Sequence, residues 1–373
     1  MTWVFWGGAA IVFYAYVGYA GWLWIRRRQK AKPVMRAAFE PKISIVMVVR
    51  NEAKILERKL TNLLNLQYPE DRVEVVVVSD GSNDGTNEIL SKYKQNSRVR
   101  SILSPEARGK ASGLNEAIAA ARGEIVVFND ARQKIEPDAM QLLMENFADS
   151  TVGCVSGELM LGDPDSGEAA KGMGLYWKFE KKIREMESSS GSVVGATGAI
   201  YAVRRELLVK VPPETILDDV YIPMNVVRQG YRVVFDPRAH AWDVADQGTE
   251  REFNRKVRTL SGNYQLLQLA PWILSGSNPL RFEFISHKLM RLIVPFALAA
   301  TLVASMVLNH PIYRLALVLQ LAFYALSFLV VAQMKSGLLA RMADAAFTFV
   351  VLNTAAVVAF INFVTGRKAA WNR

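Results

Sequence analysis

Apolar residues are concentrated at the two ends of the chain, and short apolar runs alternate with polar segments through its middle. The N-terminal run Trp3–Ile25 contains no charged residue and is long enough to cross a bilayer. Further apolar runs close the chain: Leu292–Leu308, Leu315–Met334 and Ala343–Val364. The alternative is a set of buried helices in a soluble protein, but no soluble part of sufficient size remains to cover them. The pattern therefore predicts an integral membrane protein.

Basic residues follow the first apolar run and orient it. Arg26, Arg27, Arg28 and Lys30 come directly after the run, and positive charge is retained on the cytoplasmic side of a membrane. A cleaved signal peptide is the competing interpretation, but its basic residues would precede the apolar run. We therefore expect residues 1–28 to be a transmembrane anchor of a multi-pass protein. The following block would be cytoplasmic, and the membrane would be the plasma membrane, which in a bacterium is the inner membrane.

The middle of the chain alternates apolar strands with amphipathic helices. Predicted strands are Ile43–Val49, Val73–Val78, Val99–Leu103, Ile125–Phe128, Val152–Met160 and Ala199–Val203. Predicted helices are one that opens at Asn51-Glu52, then Lys110–Ala121, Gly174–Glu187 and Thr249–Leu269. Because strands that are apolar on both faces need cover on both sides, the pattern indicates an α/β fold with a mostly parallel, Rossmann-like sheet.

Domain boundaries follow from these changes in pattern. The α/β domain occupies residues 40–245, and an amphipathic interfacial helix with a linker occupies 246–285. C-terminal transmembrane helices occupy 286–366.

Composition excludes several classes of protein. The net charge of +10 is scattered, with basic clusters near the predicted membrane edges, so we expect anionic lipid of the bilayer as the partner and no nucleic acid. The single cysteine, Cys154, excludes an intramolecular disulfide and a thiolate metal cluster. The histidines His240, His287 and His310 match no zinc spacing.

Acidic residues lie at three places where ligands bind in such folds. Asp80 follows the second strand, Asp130 follows the fourth, and the pair Asp218-Asp219 precedes a helix. The carboxyl ends of parallel strands form the ligand-binding edge of an open α/β sheet. Each place also has a simpler interpretation as a turn or a helix cap, and taken one at a time those interpretations prevail.

These places suggest specific chemistry. The carboxylate of Asp80 could accept hydrogen bonds from ribose or a base, and Asp130 could hold a divalent cation between phosphates. Lys110, at a helix start, could bind the same phosphates. One carboxylate of the pair Asp218-Asp219 could be a general base whose pKa is raised by its neighbour.

Taken together, these motifs resemble family 2 glycosyltransferases, the inverting enzymes of GT-A fold that include cellulose, chitin and hyaluronan synthases. The resemblance covers about Lys42–Leu269. Val48–Glu52 is similar to the opening strand motif, Ser79–Thr86 to the nucleotide-binding turn, and Arg108-Gly109-Lys110 to the phosphate-side segment. The resemblance implies that the donor nucleotide is bound by Val49, Asn51, Glu52, Asp80, Ser82, Lys110, Asp130, Arg255 and Arg258.

The resemblance also assigns the metal and the catalytic residues. Asn129–Arg132 occupies the place of an Asp-x-Asp motif, so Asp130 would hold Mg²⁺ or Mn²⁺, although Arg132 replaces the second carboxylate. Asp219, beside Asp218, would be the catalytic base. Gly195–Ala199 resembles the acceptor-side loop, with Thr197 and Gly198 at the acceptor.

One further motif concerns product length. Arg255–Thr259 stands where processive synthases carry Gln-x-x-Arg-Trp, with Arg258 at the arginine and Thr259 in place of the tryptophan. The missing tryptophan leaves both processive synthesis and single-sugar addition open, and processive synthesis would need a homo-oligomer or an export partner.

The implied function is inverting transfer of a sugar from a nucleotide-diphospho-sugar, a UDP-sugar, to a glycan or polyprenyl-linked acceptor in cell-surface polysaccharide synthesis. Two alternatives are a non-catalytic membrane subunit that retains the fold and a nucleotidyl or sugar-phosphate transferase.

Overall fold

The structure, a computed structural model, describes residues 1–163, 168–169, 175–243, 249–332 and 337–367. Gly174, at the start of a predicted helix, and the basic tail residues Lys368 and Arg373 lie outside these ranges.

The strands, in chain order, are β1 (Ile43–Val49), β2 (Val73–Asp80), β3 (Val99–Ser104), β4 (Ile125–Asn129), β5 (Lys134–Ile135), β6 (Val152–Asp163), β7 (Glu168–Ala169), β8 (Ile200–Arg204) and β9 (Arg232–Asp243). The α-helices are α1 (Thr2–Phe13), α2 (Tyr19–Gln29), α3 (Ala53–Leu64), α4 (Thr86–Lys92), α5 (Lys110–Ala120), α6 (Ala139–Glu145), α7 (Leu175–Ser190), α8 (Asp218–Arg228), α9 (Thr249–Leu269), α10 (Arg281–Phe284), α11 (Met290–Val307), α12 (Pro311–Phe328) and α13 (Leu338–Val364).

The strands form one mixed sheet in the order β3-β2-β1-β4-β8-β6-β9-β5, with β7 beside β6. β1 to β4 run parallel, as predicted, and β6 is parallel to β9. β8 is antiparallel to both of its neighbours. β9 was missed from the sequence because its polar residues and Pro237 break the apolar pattern.

Helices cover both faces of this sheet, and the side chains of β1 alternate between the two cores. Ile45 and Met47 pack on the face covered by α3, whereas Val46 and Val48 pack on the face covered by α5. All seven residues of β1 are buried, which explains their uninterrupted apolar sequence. This arrangement brings the turns after β1, β2 and β4 to one edge of the sheet.

Four helices are long and apolar enough to cross a membrane in the described part of the chain: Thr2–Gln29, Arg281–Val307, Pro311–Phe328 and Leu338–Val364. They correspond to the predicted spans, and short π-helical turns make the first two continuous. The second begins at Arg281 instead of Leu292, because polar side chains in its first turns find partners on α7. His287 contacts Glu180 and Glu187 there, at 2.8 Å each.

Candidate active site

The turns after β1 and β2 are joined by hydrogen bonds between backbone and side chains. The N–H of Asn51 donates to Ser82 Oγ (3.1 Å), and the N–H of Asn83 donates to Asn51 Oδ1 (2.9 Å). The N–H of Glu52 donates to Thr86 Oγ1 (3.0 Å). Asn51 has a left-handed backbone (φ 56°), a conformation that asparagine adopts more readily than most residues. One hydrogen-bonded edge of the sheet therefore contains three of the predicted nucleotide contacts: Asn51, Glu52 and Ser82.

Asp80 fixes the loop that leads to α5. Its Oδ1 accepts the N–H of Arg108 (2.7 Å) and its Oδ2 accepts the N–H of Gly109 (2.9 Å). Gly81 follows with φ 63°, and a Cβ there would lie 2.4 Å from the backbone nitrogen of Ala107, so only glycine fits. Asp80 thus determines where the first turn of α5 lies, and its predicted contact with the donor stays a prediction.

Lys110, the first residue of α5, joins two of the acidic places. Its Nζ lies 3.2 Å from Asp130 Oδ1 and 3.2 Å from Asp218 Oδ1. Burial disfavours the ammonium, but the carboxylates of Asp130, Asp218 and Asp219 outweigh it and raise the pKa of Lys110. The side chain therefore stays charged and holds β4, α5 and α8 together at the site.

Asp219 lies against the loop that precedes β8. Its Oδ2 accepts the N–H of Gly198 (3.2 Å), and its carbonyl accepts the N–H of Ala196 (2.7 Å). Burial, followed by the negative charge of Asp218, raises the pKa of Asp219 to about 6, although Lys110 opposes the shift. A carboxyl group with this pKa is suited to accept a proton near neutral pH.

The long helix α9 lies beside this pair. Gln265 accepts the N–H of Ile216 (2.9 Å) and donates to the carbonyl of Glu214 (2.9 Å), which fixes α9 against the segment before Asp218. Gly262 makes the close approach possible, since a Cβ there would lie 2.5 Å from Leu217. Arg255 and Arg258, on the same helix, reach the site.

One cavity of about 1100 Å³ connects these groups. Of the predicted site residues, those that line it are Glu52, Lys110, Asp130, Thr197, Gly198, Asp218, Asp219, Arg255 and Arg258. Val49 is in the core at 1% exposure, and Asp80 is likewise 1% exposed. Asn51 and Ser82 lie in the hydrogen-bonded turns after β1 and β2 and do not line the cavity. The fold therefore brings together residues that are far apart in the sequence.

The donor set at Asp130 fits a divalent cation that takes most of its ligands from a substrate. Its side chain is 36% exposed and faces the cavity, and carboxylate oxygen is a ligand that Mg²⁺ and Mn²⁺ prefer. The described residues contain no group of three or more His, Cys, Asp or Glu that could hold an ion unaided. One protein carboxylate with substrate phosphates is a common arrangement for Mg²⁺.

Sequence reasoning missed a pair between the segment that follows β4 and the end of β9. Arg132 Nη2 lies 3.4 Å from Asp243 Oδ2, and Gln133 Nε2 donates to the same oxygen at 2.9 Å. Arg132, which replaces a carboxylate of the resembled motif, thus has a carboxylate from a distant strand beside it. Because β9 was not predicted, no local signal in the sequence could have found this pair.

Sequence reasoning also missed a cluster of basic residues near the membrane-crossing helices. Lys288 and Arg291, in the first turns of the second membrane-crossing helix, line the cavity together with Arg50 of the β1 turn. Basic residues just before an apolar run are a sequence signal that could have identified the first two.

Comparison with known proteins agrees with this architecture. Residues 44–211 match the sequence model of glycosyl transferase family 2. A poly-beta-1,6-N-acetyl-D-glucosamine synthase of Staphylococcus aureus is 26% identical over 247 residues, which are 65% of this chain and 60% of that protein. A Staphylococcus epidermidis synthase of the same name is 26% identical over 234 residues, 62% of this chain and 56% of that protein. The matched segment therefore spans only about 60% of the length of these curated relatives.

One solved structure is similar over almost the whole chain. It is the mannosyltransferase PcManGT from Pyrobaculum calidifontis in complex with GDP-Man and Mn²⁺. The TM-score is 0.73 at 24% identity, with 97% of this chain and 99% of that chain covered. The similarity establishes that the GT-A-like sheet and the surrounding apolar helices form a known arrangement.

Proposed function

We propose that this chain, which carries a family 2 glycosyltransferase domain, transfers a sugar from a nucleoside diphospho-sugar to a glycan or lipid-linked acceptor at a membrane. The observation that carries the proposal is one cavity lined by Asp219, with its raised pKa, by the cationic side chains of Lys110 and Arg258, and by Asp130, whose carboxylate could hold a metal ion. A proton acceptor next to a group of cations is what displacement of a diphosphate requires.

The proposed reaction is one displacement at the anomeric carbon. Asp219 takes the proton of the acceptor hydroxyl, and the acceptor oxygen forms a bond to the anomeric carbon. The bond from that carbon to the donor phosphate breaks, and its electron pair leaves with the nucleoside diphosphate. A single displacement inverts the configuration, which is typical of the family.

Cationic side chains would stabilise the leaving diphosphate. Lys110 is fixed by α5, and Arg255 and Arg258 approach from α9, so their charges are in place before the reaction. A divalent cation held by Asp130, Mg²⁺ or Mn²⁺, would supply further positive charge to the phosphates. The complex of PcManGT with Mn²⁺ supports a divalent metal without choosing between the two.

The residues Thr197 and Gly198 would contact the acceptor, because their loop carries the N–H that binds Asp219. We further propose that the donor is a UDP-sugar and that the domain faces the cytoplasm, where Arg26, Arg27 and Arg28 end the first span. We also propose a role in cell-surface polysaccharide synthesis, and the names of the staphylococcal relatives support its polysaccharide part.

The substitution Asp219→Asn tests the assignment of the base. The amide keeps the shape and the Gly198 contact but accepts no proton, so we expect transfer to fall by about 10²–10⁴-fold while donor affinity changes little. Nucleoside diphosphate release measures turnover, and calorimetric titration measures donor binding. Asp71→Asn, at an exposed position away from the cavity, is the matched control. Substantial turnover by the Asp219→Asn enzyme would refute the assignment.

The donor can be identified with a panel of UDP- and GDP-sugars, by measuring nucleoside diphosphate release from the purified full chain. Release from a UDP-sugar alone would support the proposed donor, and release from a GDP-sugar alone would contradict it. No release from any donor would favour a non-catalytic membrane subunit.

A further inference from the structure

The cavity that contains Asp219 extends beyond the sheet edge and ends against a membrane-crossing helix. Its far wall is one face of α13, where Asp344 is followed at helical spacing by Phe347, Thr348, Val351 and Leu352. α13 is among the helices long and apolar enough to span a bilayer. A ligand that fills the whole cavity therefore meets charged groups at one end and apolar side chains at the other.

Two basic side chains lie at the junction of these parts. Lys288 and Arg291 are about one helical turn apart, and both line the cavity. Arg291 Nη1 donates to Glu180 Oε2 (2.6 Å) and to the Tyr176 hydroxyl (3.0 Å). By contrast, the half-buried Lys288 makes no hydrogen bond or ion pair with any residue that the structure describes.

The carboxylates nearest to Lys288 are already engaged by other groups. His287 contacts Glu187 through Nδ1 and Glu180 through Nε2, at 2.8 Å each. Tyr19 donates to the same Glu187 oxygen at 2.6 Å. The charges of Glu180, Glu187 and Asp219 act on Lys288 from beyond ion-pair distance, and an ammonium withdrawn from water without a direct ion pair is costly. A ligand that brings an anion would remove this cost.

Lys288 is also close to the proposed chemistry. It borders the main cavity and a smaller one of about 140 Å³. Asp219 and Thr197 also border both cavities, and Gly195 and Ala196 border the smaller one. An anion bound by Lys288 is therefore only a short distance from the acceptor oxygen that Asp219 would deprotonate. The anion and the acceptor oxygen would then belong to one headgroup.

On the basis of the glycosyl transfer proposed above, we infer that the acceptor is a lipid phosphate monoester, a long hydrocarbon chain that ends in a phosphate. The phosphate binds Lys288 and Arg291, which are suited to it by charge, and the hydrocarbon chain lies along Phe347, Val351 and Leu352 of α13. A free glycan has neither the anion for Lys288 nor the chain for α13. In this step a phosphate oxygen of the acceptor forms the bond to the anomeric carbon, and the proton of its P–OH group passes to Asp219. The bond from the anomeric carbon to the donor phosphate breaks, and its electron pair leaves with the nucleoside diphosphate.

The experiment uses the full chain in phosphatidylcholine vesicles with a radiolabelled nucleotide sugar. Decaprenyl phosphate is the probe, and decaprenol, phosphatidylglycerol and inorganic phosphate are the comparison compounds. One readout is transfer of label to the lipid phase, and the second is the increase in thermal midpoint on lipid binding. A third, nucleoside diphosphate release without lipid, reports donor hydrolysis and so tests the domain chemistry separately.

We expect decaprenyl phosphate to accept the sugar and to stabilise the protein, and the comparison compounds to do neither. Lys288→Met should raise the KM for decaprenyl phosphate by at least about tenfold, as loss of a charged hydrogen bond does. Lys288→Arg should restore most of the affinity. Lys182→Met, on the exposed face of α7, should behave as the unmodified protein.

Equal transfer to decaprenol, phosphatidylglycerol or inorganic phosphate, or equal stabilisation by any of them, would overturn the inference. An unchanged KM in Lys288→Met would overturn it as well. Stabilisation by decaprenyl phosphate that depends on Lys288, in a protein that releases no nucleoside diphosphate, would support the lipid site and refute the glycosyl transfer. The two failures are thereby distinguishable.

Discussion

Two adjacent carboxylates of the site have different surroundings. Asp218 has a side-chain exposure of 6% and lies 3.2 Å from the Lys110 ammonium. Asp219 accepts a backbone N–H from Gly198, and burial together with Asp218 raises its pKa to about 6. Because a general base works best with a pKa near the pH of the reaction, Asp219 is the better base of the two.

This difference predicts the pH dependence of turnover. The active form of Asp219 is the carboxylate, so activity should fall by about tenfold per pH unit below a pH of about 6, where the group becomes protonated. Asp218→Asn removes the neighbouring negative charge and should lower the pKa of Asp219, which moves the acid limb to lower pH. Initial rates of nucleoside diphosphate release across the acidic range measure both profiles. An identical acid limb in the two proteins would contradict the electrostatic account.

For individual residues of the site, the sequence identified the residue types but not the groups that surround them. The Asp-Asp pair and Lys110 were found from motif order. That Lys110 pairs with Asp218, and that Arg132 meets Asp243, depends on strands and helices distant in sequence. Charge pairs of this kind have no local pattern, so only the structure reveals them.

At the scale of elements, the turn after β2 and the loop before α5 form one unit. Asp80 binds two backbone N–H groups of that loop, and Gly81 allows the loop to approach within contact of the turn. The start of α5, and with it Lys110, depends on this contact.

Gly81→Ala should therefore disturb both stability and donor use. The added Cβ meets backbone of Ala107 at 2.4 Å and must adopt φ 63°, so the thermal midpoint should fall and the KM for the donor should rise. Gly230→Ala is the matched control, because its φ is 90° but nothing lies within 4 Å of the added Cβ. The control should show only the backbone cost of about 1–2 kcal/mol. Equal midpoints and equal KM values for the two variants would rule out the loop contact as the cause.

The helices and strands with strong periodicity were predicted closely, and irregular ones were not. β1 and α9 have the predicted bounds, because each repeats one side-chain pattern over its whole length. β9 lacks such a repeated pattern and was not predicted. The antiparallel direction of β8 was not predicted either, since strand direction depends on the connections made in three dimensions.

At the scale of the whole molecule, the first and second membrane-crossing helices pack closely although they are far apart in sequence. α1 approaches α11 at Gly8, where an added Cβ would lie 2.7 Å from Thr301 and 2.9 Å from the carbonyl oxygen of Ala297. Small residues permit such approach between helices in membranes. The N-terminal anchor is thereby part of the bundle that borders the cavity.

Gly8→Ala should separate these helices and lower the thermal midpoint in detergent, by an amount that corresponds to about 1–3 kcal/mol for overpacking. Gly7→Ala is the control, since nothing lies within 4 Å of a Cβ at that position. Thermal unfolding followed by circular dichroism measures both variants. If Gly7→Ala lowered the midpoint as much as Gly8→Ala, the close packing would not be the reason.

The sequence by itself determined the classes of structure: membrane spans, an α/β domain with parallel strands, and acidic groups at strand ends. These follow from composition and periodicity, which act over a few neighbouring residues. The tertiary structure decided which charges pair, and it buried Asp219 beside Asp218, which raises the pKa of Asp219. It also placed Lys288 beside the same cavity. Only the tertiary structure could determine these features, because electrostatic interaction and burial depend on distances in space, which the order of residues along the chain does not specify.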